Sequence, residues 1–301
     1  MASPERGVAQ GAARDALEDR LARAALGAAA ANAEPDGAVG RRRDGAEQEE
    51  EVVEDMTEAE LLSLLDAEAD PLLVARTLLR DGWRARLQAA GATALSSAHV
   101  EALLARGWAV LEGACSAEAC AAADEEASRR LQGGLLCDPG EMHASRDDPY
   151  RDSAARGDRL AFVPRAGDKG ALSGALAALE ALRGQAGLVF ALRDGRAGDE
   201  TQLAVYSGQG ESYARHRDAL PQPRHGDDTG LPPQRKLTAV LYLGECQEGG
   251  ELRLYPSPEG GGGQQEIKPA AGRVAIFFSG AVDHEVRPAL SKRAALTLWM
   301  R

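Results

Sequence analysis

The stretch ESYARHRDAL, residues 211–220, reads as a strand that carries His216 and Asp218 two positions apart. Successive strand side chains alternate between faces, so these two project together. A packed core asks for Val or Ile at such positions, whereas imidazole and carboxylate are metal-ligand types. Two imidazoles and one carboxylate hold Fe(II) by one face and leave three coordination positions for an organic cosubstrate and O2. The second imidazole must come from elsewhere, and the chain has five histidines, at 99, 143, 216, 225 and 284. His99 and His143 precede the strand-rich part, His225 sits in a loop rich in Pro, Gly and Asp, and His284 opens a late strand. The plain alternative is a surface histidine beside an aspartate.

Arg293 stands nine residues beyond His284, at the head of the apolar run RAALTLWM. An inward arginine there is costly unless it meets an anion. Its planar guanidinium matches a carboxylate in bidentate fashion, and so suits the far end of a dicarboxylate whose near end chelates iron. Tyr206 and Tyr242 lie in strands that are otherwise aliphatic. A buried phenol needs a partner for its hydroxyl, and a carboxylate would serve, although an ordinary core or rim tyrosine is the simpler reading of either alone.

These residues need a frame. From residue 201 onward the hydrophobic period is two, in the segments TQLAVYS, SYARHRD, KLTAVLYLG, ELRLYP, RVAIFFS, HEVRPA and RAALTLWM, with turn residues between them. That density of short alternating strands predicts an antiparallel sandwich or jelly roll. Helices precede the strands instead of alternating with them, so they are expected to pack on one sheet. SSAHVEALLARG reads as a capped helix ended by Gly107, followed by a strand over residues 108–111; SAEACAAADEEASRRLQGG reads as a helix capped by Ser116 and stopped by Gly133 and Gly134. RLAFVP is a further strand, and ALSGALAALEALRGQAGLVFAL a long helix. PEGGGGQQ is a flexible connection between strands.

Residues 1–55 are low-complexity Ala, Gly, Arg and Glu with little to bury, and are expected to be disordered or loosely helical. A helical extension over 56–92 follows, opening on a capping box of Thr57 and Glu60 and continuing through PLLVARTLLRDGWRARLQAA, with Pro71 in a first turn. The folded domain is expected over 97–301. The net charge of −12 disfavours nucleic acid and anionic membranes as main partners. Four cysteines without a C-x-x-C pair, and no secretory leader, fit a cytoplasmic or nuclear setting.

With these residues in place, the chain resembles the 2-oxoglutarate and Fe(II)-dependent dioxygenases, and over residues 97–301 it is similar in detail to the hypoxia-inducible-factor prolyl hydroxylases. The resemblance rests on RGDRLAFVP (156–164), YSGQGESYARHRD (206–218), RKLTAVLYL (235–243), GGELRLYP (249–256) and HEVRPALSKRAALTLW (284–299), in that order. It implies an α+β double-stranded β-helix, the jelly roll, with helices on one sheet. It also implies that His216, Asp218 and His284 hold Fe(II), that Arg293 anchors the distal carboxylate of 2-oxoglutarate, and that Tyr206, Tyr242 and Thr297 place hydroxyls around that cosubstrate beside an apolar wall of Leu252 and Val286. Arg235, Trp299, Arg156 and Asp158 fall where the family borders or orders its peptide groove.

The activity so implied is 4-hydroxylation of peptidyl proline, with 2-oxoglutarate and O2 as cosubstrates, ascorbate as reductant, and a proline-containing protein or peptide as partner. Related halogenases carry a small residue in place of the carboxylate, so Asp218 favours hydroxylation. Two other readings are a free amino acid or small molecule as substrate, and a catalytically silent jelly-roll scaffold; a broken triad would mark the latter, and none is seen. Three departures stand out: a longer segment at 219–234, expected to close over substrate; Phe162 where the family has Trp; and an end at Arg301, where relatives continue into a helix.

Overall fold

The computed structural model describes residues 71–139, 155–164, 169–192, 200–219, 235–255 and 263–301. The expectations for residues 1–55, the Thr57 capping box, His143, His225 and most of the 219–234 segment lie outside the described residues.

Five α-helices are described: α1 (Pro71–Arg76), α2 (Trp83–Ala89), α3 (Ser97–Arg106), α4 (Ala117–Gln132) and α5 (Ser173–Val189). The strands are β1 (Trp108–Leu111), β2 (Arg159–Phe162), β3 (Glu200–Tyr206), β4 (Glu211–His216), β5 (Leu237–Tyr242), β6 (Leu252–Tyr255), β7 (Gln265–Ile267), β8 (Val274–Phe278), β9 (Asp283–Ala289) and β10 (Arg293–Met300). They form two antiparallel sheets, a six-stranded one in the order β1-β8-β5-β10-β3-β2 and a four-stranded one in the order β4-β9-β6-β7. From β3 to β10 the chain passes back and forth between the sheets, apart from the β6–β7 pair within the small one, which is the winding of a double-stranded β-helix.

The helix limits follow from local chemistry. Ser96 accepts from the backbone N–H of His99 while His99 Nδ1 accepts from that of Ser96, so a histidine fills the usual acidic place of the capping box of α3. Gly107 ends α3 at φ 89, where an added Cβ would come within 2.9 Å of Val282. Ser116 caps α4 by accepting from Ala119 N–H. The single helical stretch expected over 71–90 is interrupted: after a turn at Thr77 and Leu78, Leu79 forms an antiparallel bridge with Phe190 just past α5, with Arg80 N–H donating to Val189 O and Ala191 N–H to Leu78 O, and Gly82 at φ 67 restarts the chain as α2. Leu72, Trp83 and Leu87 are buried in the same apolar core as the strands.

Both faces of the large sheet are covered. All six residues of β5 are buried, and β10 is buried at every position but one, as expected for strands with partners on each side. Helices α4 and α5 lie against β3, β5 and β10. The other face looks onto the small sheet, and the site lies between them.

Candidate active site

Six polar or charged residues are buried among the described ones: Asp158, Gln202, Thr238, Ser279, His284 and Arg293. All six belong to one neighbourhood, which makes it the place where this fold accepts the cost of burying polarity.

His216 is the last residue of β4 and lies directly across from His284 on β9. Asp218 lies just beyond the end of β4, with its Oδ1 3.6 Å from His216 Nε2 and its Oδ2 3.7 Å from His284 Nε2. The donor atoms of the three all lie within 4.8 Å of one another. His216 Nδ1 faces Ala214 O at 2.8 Å and His284 Nδ1 faces Val282 O at 3.3 Å. A carbonyl only accepts, so each Nδ1 carries the proton and each Nε2 lone pair is free to bind a metal. Arg217 turns away and donates to Asp283 Oδ1 at 2.7 Å, which ties the two ligand-bearing segments together.

The electrostatics favour the ligating forms. Burial, and then the charge His216 would carry, push the His284 imidazole down to about 4, so it is neutral at physiological pH. Burial works against the charge of Asp218, but His284, His216 and the Thr238 hydroxyl outweigh it and hold the carboxyl well below the usual range. Two imidazoles and one carboxylate on one face are the donor set that suits non-haem Fe(II). The residues fit such an ion.

An inner cavity of about 50 Å³ runs from this cluster to Arg293 and is lined also by Tyr206, Thr297, Leu252, Val286, Arg156 and Trp299. Arg293 is 3% exposed. Its Nε–H donates to Gly250 O at 3.0 Å, and the guanidinium lies 4.9 Å from the Tyr206 ring and 5.2 Å from the Tyr242 ring. No carboxylate among the described residues pairs with it. Gly250 makes this possible: at φ 69 a Cβ there would stand 2.8 Å from Cys246 Sγ and 3.2 Å from Arg293 Cδ. Among the described residues the buried Tyr242 hydroxyl meets no hydrogen-bond partner within normal distance, and its ring sits behind the guanidinium and not on the cavity wall. Burial raises the pKa of both phenols, which therefore stay protonated donors. A buried cation that meets no carboxylate among the described residues, at the end of an empty volume, matches a bound carboxylate.

A second cavity of about 300 Å³ opens outward and shares Arg156, Gln202, Tyr213, His216, Asp218 and Trp299 with the inner one. Arg235 lines it, stacked 4.0 Å from the Trp299 ring and paired with Glu200 at 3.0 Å. Trp299 is 6% exposed, so its ring forms a wall and not an open platform. Arg156 binds Asp158 through two contacts of 2.6 and 2.9 Å and reaches Gln202 Oε1 at 2.5 Å. Burial opposes the Arg156 charge, but the Asp158 carboxylate outweighs it and moves the guanidinium pKa up. Asp158 itself lines neither cavity and serves to hold Arg156. Phe162, 43% exposed, stands on the outer rim with its ring 6.4 Å from that of Trp299.

Sequence reasoning missed four members. Tyr213 stacks on His216 at 3.8 Å and lines both cavities. Strict alternation puts residues three apart on opposite faces, but a bulge pairs Tyr213 with Val286 and His216 with His284, so one extra residue on β4 brings both inward. Gln202, Thr238 and Ser279 were missed as well; their signal is a polar residue at an inward position of a strand otherwise built to be buried.

Residues 201–301 match the model of the 2OG-Fe(II) oxygenase superfamily. The chain is 34% identical over 105 residues to Egl nine homolog 1 of Rattus norvegicus; the match spans 33% of this chain and 28% of that relative's length. It is 31% identical to a crystal structure of a Pseudomonas putida prolyl-4-hydroxylase, with TM-score 0.53, covering 68% of this chain and 97% of that one. A prolyl hydroxylase of Trichoplax adhaerens, solved with a hypoxia-inducible-factor peptide fragment, shares the fold at 22% identity and TM-score 0.54, covering 73% and 93%. With the triad, the buried arginine and the winding of the sheets already in place, these matches put the chain in the 2OG-Fe(II) oxygenase superfamily.

Proposed function

We propose that the protein is a prolyl 4-hydroxylase that uses Fe(II), 2-oxoglutarate and O2 on a proline within a polypeptide. The observation that carries the chemistry is one inner cavity with the His216, Asp218 and His284 cluster at one end and, at the other, the Arg293 guanidinium, which pairs with no carboxylate among the described residues. The choice of proline is supported by the likeness to the Pseudomonas putida prolyl-4-hydroxylase across two thirds of the chain.

His216, Asp218 and His284 would hold the metal, and Arg293 the distal carboxylate of 2-oxoglutarate. Fe(II) held there would activate O2, the oxidant, so that one oxygen atom would enter the substrate C–H bond as hydroxyl and the other would pass to 2-oxoglutarate, which would leave as succinate and CO2. The chain's own residues do the rest. Leu252 and Val286 exclude water from one wall, Tyr206 and Thr297 offer hydroxyls to the cosubstrate, and Arg156, Arg235 and Trp299 shape the outer cavity where a polypeptide would lie. Ascorbate as reductant and a cytoplasmic or nuclear setting belong to the same reading; four free thiols are consistent with the latter.

The test is incubation of the protein with Fe(II), 2-oxoglutarate and proline-containing peptides, followed by mass spectrometry. A gain of one oxygen on proline, absent in His216→Ala, is expected. Decarboxylation of 2-oxoglutarate that responds to small molecules and to no peptide would move the substrate class away from polypeptides.

A further inference from the structure

The carboxylate of Asp218 is held unevenly. Its Oδ2 accepts from the Thr238 hydroxyl at 2.7 Å and from the Trp299 indole N–H at 2.9 Å. Its Oδ1 receives no hydrogen bond among the described residues and faces His216 Nε2 at 3.6 Å. A carboxylate oxygen has two in-plane lone pairs, so two donors fill Oδ2 and leave Oδ1 for a metal.

The donors are themselves fixed. A carboxylate can only accept, so the Thr238 proton is committed to Asp218, and the Ser279 hydroxyl, 2.9 Å from Thr238 Oγ1, must donate to Thr238 in turn. Thr238 and Ser279 are 0% exposed and Trp299 6%, which leaves water little access to compete. Ser279 also accepts through its backbone carbonyl from Ala219 N–H at 3.1 Å, and so secures the chain just past the ligand.

We propose that Thr238, backed by Ser279, and Trp299 are positioning residues that restrict Asp218 to one metal-binding oxygen. The consequence is a matter of counting. Three single-atom protein ligands leave three positions on a six-coordinate ion, two for a chelating keto acid and one for O2. A second Asp218 oxygen on the metal would take one of these. Trp299, which the family resemblance places in the peptide groove, thereby also serves the metal ligand through its N–H, while its ring lines both cavities.

This inference rests on the metal-site reading above, and its test separates the two. Metal-free protein is titrated with Co(II) in the absence of 2-oxoglutarate, following the visible absorption of the bound ion, with circular dichroism to confirm folding. Thr238→Val keeps the shape and removes the hydroxyl; it should weaken Co(II) binding about 10–100-fold and alter the band intensity as the freed oxygen joins the metal. Trp299→Phe should act in the same direction, by about 10-fold. Thr238→Ser should restore the wild-type spectrum and affinity, which a role in packing alone would not predict. If Thr238→Val does not fold, Trp299→Phe decides. Folded variants that titrate like the wild type would overturn the positioning role while leaving the metal site intact. A wild type that takes up no Co(II) would overturn both.

Discussion

The two faces of β5 and β10 are equally buried but differ in chemistry. Toward the helices these strands present Leu237, Ala239 and Leu241, and Ala294, Leu296, Leu298 and Met300, all apolar and no more than 3% exposed. Toward the small sheet the same strands present Thr238, Val240 and Tyr242, and Arg293, Ala295, Thr297 and Trp299, polar groups set among two small apolar ones. Depth therefore does not distinguish core from active site here. The distinction is that one face buries only carbon, while the other buries groups whose hydrogen-bonding capacity is left partly open, as at Arg293 and the Tyr242 hydroxyl.

Given that contrast, single substitutions on the two faces should separate ligand binding from stability. The largest effect belongs to the inward face: Arg293→Gln should raise the 2-oxoglutarate concentration for half-saturation about 100–1,000-fold, as expected for loss of a buried charge-assisted contact, without weakening metal uptake. Isothermal titration with metal present reads both. On the outward face Leu296→Ala should lower the unfolding free energy in urea by about 3 kcal/mol, with cosubstrate affinity in the folded fraction unchanged.

Acid sharpens the contrast further. In the metal-free protein His284 titrates at about 4 instead of 6.5, so the unfolded chain binds a proton that the folded chain refuses, and stability falls as pH drops through that window. Between roughly pH 8 and pH 5 the loss assigned to this one group is about 2 kcal/mol. Asp218, whose folded value is depressed, adds its loss only at lower pH, as its stabilisation disappears below the unfolded carboxylate range. Urea melts of the wild type and of His284→Gln over this pH range should diverge by that amount; parallel curves would show that the inward face does not depress this imidazole. The smallest effect is expected on the outer face of the small sheet, where Arg253 bridges Glu266 and Glu285. Solvent screens such pairs, and Arg253→Gln should leave both melting and cosubstrate binding within error of the wild type.

What was legible in the sequence follows the same division. The metal triad, Arg293 and the strands that carry them could be read because histidine, aspartate and arginine are conspicuous inside apolar runs. Thr238 was not, since threonine is a good strand residue and raises no alarm in KLTAVLYL. Tyr213 was missed because a bulge is a property of the pairing between strands and leaves no mark in the alternation of one strand alone. Strand β7 was missed because Gln265 and Glu266 are polar and exposed, so its three residues have no apolar period to show. The break between α1 and α2 depends on residues 78–80 finding backbone partners at the end of α5, more than one hundred positions away.

The central claim is that one cavity holds Fe(II) at the triad and 2-oxoglutarate between the triad and Arg293. The most direct test is an anaerobic titration of Fe(II) and 2-oxoglutarate into the protein, watching for the visible charge-transfer band of a keto acid chelated to Fe(II). The band should form with the wild type, require much more 2-oxoglutarate with Arg293→Gln, and fail to form with His216→Ala. A wild-type protein that gives no band when both are present would contradict the account.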